Sequence, residues 1–199
     1  MVRKPRQERS RALVDTLLDA TAKLLAKQPL ATLTTNRIAE VAGVSVGSLY
    51  QYFPNKDSLA GALIERKAAR DLEELGAALL ADAPKGLAPA LRAMTSTVVE
   101  IHRRDRALMR ALLSLVTPTG RFEAVRALAA QGREGLRGLL ETHAAELRDG
   151  DHELMSFVVG RALEEVVHAA LLERPEFLDD PQLAEELFQL AWRYLARTR

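Results

Sequence analysis

Apolar residues recur at helical spacing along almost the whole chain. Between Ser10 and Lys27, leucine and valine fill positions 13, 14, 17, 18, 24 and 25, which form one wide stripe at 3.6 residues per turn. No convincing segment alternates apolar and polar residues with period two. Further helices are expected over Asn55–Ala81, Leu87–Arg104, Leu108–Leu115 and Phe122–Leu147, from Asp151 to before Pro175, and from Pro181 onward. The pattern predicts an all-α protein.

Residues 34–56, TTNRIAEVAGVSVGSLYQYFPNK, predict two short helices joined by a tight turn. Gly43 stands where the first helix must end, and glycine accepts the positive φ that such an end requires. Ser45 is the expected N-cap of the second helix, and Leu49 and Phe53 form its inward side. Ala39, four residues before the glycine, is small enough for two helices to cross closely. The segment therefore predicts a helix-turn-helix.

The outward side of the second helix, expected over Val46–Tyr52, carries no charge. A merely solvated helix would carry glutamate and lysine there. Small residues allow close approach to base edges, Gln51 can bond a base or a phosphate, and tyrosine hydroxyls can donate to phosphates. Lys56, at the start of the next helix, is expected to bind a phosphate. The predicted DNA-binding residues are Thr34, Thr35, Arg37, Ser45, Val46, Gly47, Ser48, Tyr50, Gln51, Tyr52 and Lys56.

Each of these features also has an interpretation that does not involve DNA. The two helices could form an ordinary hairpin in a bundle core, and Arg37 could be a free surface arginine. Residues 1–9, MVRKPRQER, could reach the minor groove or phosphates, or form a solvated tail. The uncharged helix face and the flanking basic residues favour DNA binding over the hairpin.

The same segment resembles a known family. The pattern T-x-x-x-I-A-x-x-A-G-V-S-x-G-S-L-Y-x-Y-F-P-N-K is similar to the DNA-binding domain of the TetR family of bacterial transcription regulators. The resemblance covers about Thr34–Leu59 and departs from the family at Gln28-Pro29-Leu30, where a glycine and an aromatic residue are common. It implies a homodimeric repressor that binds a palindromic operator and responds to a small molecule.

Composition and charge agree with such a protein. The chain has 199 residues, 48% of them hydrophobic, and no cysteine, which fits a reducing cytoplasm. It has no apolar run long enough for a membrane span and no signal-peptide core, so no membrane partner is expected. Residues 1–60 carry net charge +4 and the remainder −3. A positive end on a mildly negative body suits contact with a polyanion at one end.

The predicted organisation is a basic flexible arm (1–9), a three-helix helix-turn-helix domain (10–56) and a helical ligand-binding and dimerisation domain (57–199). The long helix from Asn55 is expected to link the last two. A hydrophobic or amphipathic effector is expected because the body is apolar. The candidate ligand-binding residues are Met94, Val98, His102, Leu112, Phe122, His143, Phe157, Arg161 and Glu165.

The last helices carry more apolar surface than one core contact needs, which predicts a subunit interface. Its candidate residues are Phe157, His168, Leu171, Leu187, Phe188, Trp192 and Leu195. For the ligand candidates the simpler alternatives are core or rim histidines and an intrahelical ion pair between Arg161 and Glu165.

The sequence has no nucleotide-binding glycine loop and no G-x-S-x-G, and its four histidines lack metal-ligand spacing. We therefore expect no enzyme, no cofactor and no metal site. A helical enzyme or scaffold with an incidental helix-turn-helix is the alternative function.

Overall fold

The computed structural model describes the backbone of residues 4–116 and 122–197, and the side chains of residues 9–115 and 127–197. Within these ranges the chain forms nine α-helices, and an isolated antiparallel bridge joins Leu147 to Ala196. The helices are α1 (Lys4–Leu25), α2 (Thr35–Ala42), α3 (Val46–Tyr50), α4 (Lys56–Asp82), α5 (Leu87–Arg104), α6 (Arg106–Val116), α7 (Phe122–Thr142), α8 (His152–Glu173) and α9 (Gln182–Leu195). Short 3₁₀ turns cover Leu30–Thr32, Ala83–Lys85, Ala144–Glu146 and Pro175–Asp179. The predicted all-α class is confirmed.

The chain divides into two compact units. The first unit consists of Met1–Lys67 and Ala107–Val125, and the second consists of Ala68–Arg106 and Arg126–Arg199. Helix α4 therefore contributes residues to both units. This division differs from the predicted boundary between residues 56 and 57, because the start of α4 and most of α6 belong to the first unit.

Helix α6 joins the first unit through its apolar face. Leu112 is 4% exposed in that unit's core, and Leu108, Ala111 and Leu115 pack against the same core. The spacing of these residues predicted the helix correctly. The spacing could not indicate whether the helix would pack in the first or the second unit, since every amphipathic helix has the same period.

Each of the helices α1 to α4 contributes a buried leucine or isoleucine to the core of the first unit. Leu17 of α1, Ile38 of α2, Leu49 of α3 and Leu59 of α4 are completely buried. Arg66 of α4 also holds α1, since its guanidinium lies 2.7 Å from Asp19 Oδ1 and 3.3 Å from Asp15 Oδ1. The short helices α2 and α3 are thus supported from behind by two long ones.

The predicted start of α1 and the predicted end of α7 were wrong. Helix α1 begins at Lys4 and not at Ser10, so residues 4–9 of the expected flexible arm are helical. Helix α7 ends at Thr142, before the expected Leu147, because the chain leaves it to form the bridge with Ala196. Backbone hydrogen bonds hold that bridge, from Arg148 N to the Leu195 carbonyl (3.0 Å) and from Arg197 N to the Glu146 carbonyl (2.9 Å).

In the second unit α5 packs against α8 and α9. Leu91 of α5, Leu171 of α8 and Leu195 of α9 are fully buried. The guanidinium of Arg92 lies 3.7 Å from the centre of the Phe188 ring, and Phe188 stacks on Trp192 with ring centres 6.1 Å apart. No helix among the described residues is long and apolar enough to cross a membrane.

Candidate nucleic-acid interface

Helix α2 is capped at both ends, and its C-terminal cap begins the turn toward α3. Thr34 begins α2, and its hydroxyl accepts a hydrogen bond from Arg37 N (3.1 Å). Gly43 ends α2 with φ of +68°, as predicted. Gly43 N donates to the Glu40 carbonyl (3.1 Å) and Val44 N to the Ala39 carbonyl (3.0 Å), which is the hydrogen-bond pattern of a Schellman motif.

Helix α3 begins where the sequence predicted and ends sooner. Ser45 is its N-cap and accepts from Ser48 N (3.0 Å). The helix spans Val46–Tyr50, so Gln51 and Tyr52 lie beyond its last residue. Their N–H groups still donate to the carbonyls of Gly47 (3.3 Å) and Leu49 (3.0 Å), so the chain continues the same turn.

The outward side of this segment is a neutral surface, formed by Ser45, Gly47, Tyr50, Gln51 and Tyr52, all of which are exposed. Val46 and Ser48 were predicted on the same side but are half-buried, and Val46 packs against the core of the first unit. A Cβ built on Gly47 would meet no atom closer than Ser45 Oγ at 3.8 Å, so the space beside this glycine is open.

Both tyrosine hydroxyls are held by partners from other helices. Tyr50, 52% exposed, hydrogen bonds to Thr35 Oγ1 of α2 (2.9 Å). Tyr52, 38% exposed, accepts from Ser10 Oγ of α1 (3.0 Å). Each hydroxyl is therefore fixed in position while its ring stays accessible.

Ser10 is a site residue that the sequence reasoning missed. It was expected at the start of α1, but it lies inside that helix and its hydroxyl reaches Tyr52, 42 residues further along the chain. No local sequence signal marks a contact over such a separation. Arg9 and Arg11, its exposed neighbours in the chain, add positive charge to this part of α1.

The two cations predicted to bind phosphates both have protein partners. Arg37 forms an ion pair with Glu40 at 2.8 Å on the surface of α2, and such an exposed pair is easily exchanged for another anion. Lys56 differs, because its Nζ donates to the carbonyls of Leu30 (2.9 Å), Ala31 (3.0 Å) and Leu33 (3.2 Å). The geometry does not support the predicted phosphate contact of Lys56.

The described candidate ligand residues lie on several helices and belong to both units. Met94 and His102 are buried on α5, with Val98 between them half-buried, and His143 is half-buried at the end of α7. Leu112 belongs to the buried core of the first unit, and its assignment to a ligand site stays a prediction. The side chain of Phe122 lies outside the described residues.

The remaining ligand candidates, Phe157, Arg161 and Glu165, are exposed on α8, so they line no interior site. Arg161 pairs with Glu164 at 2.6 Å and with Glu165 at 4.0 Å, which is the simpler alternative that the sequence offered. His143 Nδ1 likewise binds Glu146 Oε1 at 2.9 Å.

Most candidates for the dimer interface are buried within the chain itself. They are Leu171, Leu187, Phe188 and Leu195, each at most 4% exposed. Helical spacing revealed the apolar faces of α8 and α9 but not that α5 covers them. Phe157 is exposed and Trp192 half-buried.

His168 was also assigned to the interface, but it faces the interior of the second unit. Its ring lies 5.3 Å from the ring of His102 on α5. Burial lowers the pKa of His168, and the nearby carboxylates of Glu164 and Glu165 oppose that shift only in part. His102 Nδ1 donates to the Val98 carbonyl (2.8 Å).

A different apolar surface lies between α8 and α9. A groove of about 290 Å³ is lined by Val166, Leu183, Glu186, Leu187, Gln189, Leu190 and Arg193. Val166 is 39% exposed and Leu190 45% exposed, so both offer apolar surface to a partner. Leu154, Val158 and Leu172 extend the exposed apolar side of α8.

Comparison with known proteins finds similarity along both units. Residues 17–63 match the family described as bacterial regulatory proteins, tetR family, and residues 86–195 match the tetracyclin repressor-like C-terminal domain. An uncharacterised HTH-type transcriptional regulator of Mycobacterium tuberculosis is 30% identical over 129 residues, which cover 61% of this chain and 62% of that protein.

Two further similar proteins differ in how much of their length aligns with this chain. The nucleoid occlusion factor SlmA of Haemophilus ducreyi is 32% identical over 112 residues, 56% of this chain and 53% of its own length. The chain thus spans between half and two thirds of the length of these two curated relatives. The solved structure of SmeT, the repressor of a Stenotrophomonas maltophilia multidrug efflux pump, superposes with a TM-score of 0.71 at 22% identity, covering 92% of this chain and 90% of SmeT.

Proposed function

The chain belongs to the TetR family of bacterial regulatory proteins, and from this premise we propose that it is a DNA-binding transcriptional repressor. A small molecule bound in the second unit releases it from its operator. The observation that carries the proposal is the exposed neutral surface of Ser45, Gly47, Tyr50, Gln51 and Tyr52 on a capped helix-turn-helix.

This surface suits a duplex for specific physical reasons. Ser45 and Gly47 leave room at the N-terminal end of α3, where base edges of the major groove can approach. The hydroxyls of Tyr50 and Tyr52 are held by Thr35 and Ser10, so little side-chain freedom is lost when they donate to phosphates.

The alternative of an incidental helix-turn-helix on an enzyme or scaffold is less favoured. Family similarity extends from residue 17 to 63 and from residue 86 to 195, so both units follow one plan that belongs to regulators. The nucleoid occlusion factors share part of this similarity, but no contact among the described residues favours their role for this chain.

Dimerisation uses the groove between α8 and α9. Val166 and Leu190 supply exposed apolar area, and Glu186 and Arg193 supply charges of opposite sign at the same groove. A second copy can place its own Leu190 against this groove, and a two-fold axis then makes both contacts equal. Such a two-fold dimer carries two helix-turn-helix segments, which is what a palindromic operator requires, since its half-sites lie about 34–36 Å apart.

The effector site is proposed in the second unit beside α5. Met94 and the buried His102 share one side of that helix, and His168 of α8 adds a second imidazole. Apolar surroundings with a few polar groups are typical of sites for small hydrophobic or amphipathic ligands. Helix α4 contributes to both units and is the proposed route of coupling, which requires about 1–3 kcal/mol.

The test begins with a duplex selected by the protein from a random-sequence pool. Fluorescence anisotropy at two salt concentrations should give binding that is sequence-specific and weaker at high salt. A library of small amphipathic compounds should then contain one that lowers affinity for this duplex, and His102→Leu should weaken that response. Failure to select any sequence would refute the DNA-binding role.

A further inference from the structure

We infer that Lys56 is a positioning residue of the helix-turn-helix and not a phosphate-binding residue. The inference assumes the proposed DNA-binding function only for its second readout. It starts from a lysine whose side chain is half-buried at the first residue of α4.

The ammonium group is surrounded by backbone oxygens. Its Nζ lies 2.9 Å from the Leu30 carbonyl, 3.0 Å from that of Ala31 and 3.2 Å from that of Leu33. These carbonyls belong to the 3₁₀ turn Leu30–Thr32 and the residue after it, at the carbonyl end of the turn. The Leu30 carbonyl also accepts from Leu33 N within the turn (3.1 Å). A cation at such an end is electrostatically favoured.

This arrangement uses the whole donor capacity of the side chain. A lysine ammonium has three N–H donors, and here three carbonyls accept from it. A phosphate could be bound only by giving up one of these bonds. In the described part of the chain no carboxylate pairs with Lys56, so the carbonyls alone compensate its charge.

The bonded carbonyls lie directly before the DNA-binding segment. Leu33 precedes Thr34, the N-cap of α2, and the turn is anchored from its other side because Leu30 and Leu33 are only 7% and 2% exposed. Lys56 thus ties the first residue of α4 to the turn that lies directly before α2. Lys56 thereby fixes the position of the neutral surface, although its own side chain is not part of that surface.

The test compares Lys56→Arg and Lys56→Met, with Lys27→Met as the matched control at an exposed lysine of the same unit. A planar guanidinium cannot converge on three carbonyls, but it binds a phosphate at least as well as an ammonium does. The arginine variant therefore separates the two roles, because it keeps the charge and loses the geometry.

The first readout needs no DNA. Hydrogen exchange of the free protein should become faster at the Thr32 and Leu33 amides in both Lys56 variants, by about tenfold or more, since bonds to a charged group are lost. Lys27→Met should exchange as the original protein does. Unchanged exchange in both variants, or an equal increase throughout α1, would overturn the inference.

The second readout is the salt dependence of binding to the selected duplex. A positioning role predicts that both Lys56 variants bind about tenfold more weakly, comparable to one lost base contact, with an unchanged slope of log K against log salt. A phosphate contact predicts near-normal affinity for Lys56→Arg and a slope reduced by about 0.9 for Lys56→Met, which would overturn the inference. If the original protein selects no duplex while exchange increases in both variants, the proposed function fails and the positioning role of Lys56 remains.

Discussion

Replacing Gly43 by alanine should destabilise the protein, although the added methyl group would clash with no neighbouring atom. A Cβ at this position meets nothing within 4 Å, so the cost arises only from the backbone, whose φ is +68°. A left-handed conformation costs a residue with a Cβ about 1–2 kcal/mol. Alanine recovers about 0.4–1 kcal/mol by restricting the unfolded chain. The net loss should be about 1 kcal/mol.

The same substitution at Gly47 provides a control of opposite sign. Gly47 lies inside α3 with open space beside it, so alanine should stabilise the helix by about 0.5 kcal/mol. Gly43→Asn should cost less than Gly43→Ala, because asparagine tolerates the left-handed region better. The two alanine substitutions should thus change the free energy of unfolding in opposite directions, although the two positions are only four residues apart.

Urea unfolding at one protein concentration measures these differences through the transition midpoint, with an unchanged slope. A thermal scan should show the Gly43→Ala transition lowered by about 2–4 °C for a chain of this size. Gly47→Ala should also bind DNA more weakly, because its methyl group projects from the neutral surface. A neutral or stabilising Gly43→Ala, or an asparagine variant less stable than the alanine one, would refute the backbone argument.

Three further outcomes are expected. Tyr50→Phe should weaken DNA binding more than Thr35→Val, because it removes the proposed phosphate donor as well as the Thr35–Tyr50 hydrogen bond, and adding Thr35→Val to Tyr50→Phe should change little; additive losses in anisotropy would contradict this. Leu190→Glu should give a monomer by light scattering, while an intact dimer would exclude the α8–α9 groove. His168 has a lowered pKa, so its contribution to stability is complete above its unfolded value of about 6.5 and decreases as pH falls below it. His168→Gln should flatten that decrease in urea unfolding between pH 7 and 5, and an unchanged pH profile would contradict the assignment.

The local features of the DNA-binding segment were readable from the sequence because they depend on near neighbours. The caps at Thr34 and Ser45, the left-handed Gly43 and the buried Leu49 all follow from residues at most five positions apart. Such signals reflect physical requirements of helix ends and faces, so they can be interpreted without knowledge of the rest of the fold.

Features that depend on distant residues were not readable. The pairing of Ser10 with Tyr52 and of Lys56 with the Leu30 carbonyl joins parts of the chain at least 26 residues apart. For the same reason the sequence assigned Leu112 and Phe188 to a ligand site and a subunit interface, although both are buried in unit cores. Periodicity identifies a face that needs covering but does not identify the element that covers it.

The bridge between Leu147 and Ala196 has a consequence for how the protein is made. The connection after α7 receives its last backbone partners, Leu195 and Arg197, only when residues 195–197 have left the ribosome. Glu146 in that connection also accepts from Leu87 N (3.3 Å) at the start of α5. The second unit therefore closes only after α9 has been made, whereas α1 to α3 can already have assembled against the first part of α4.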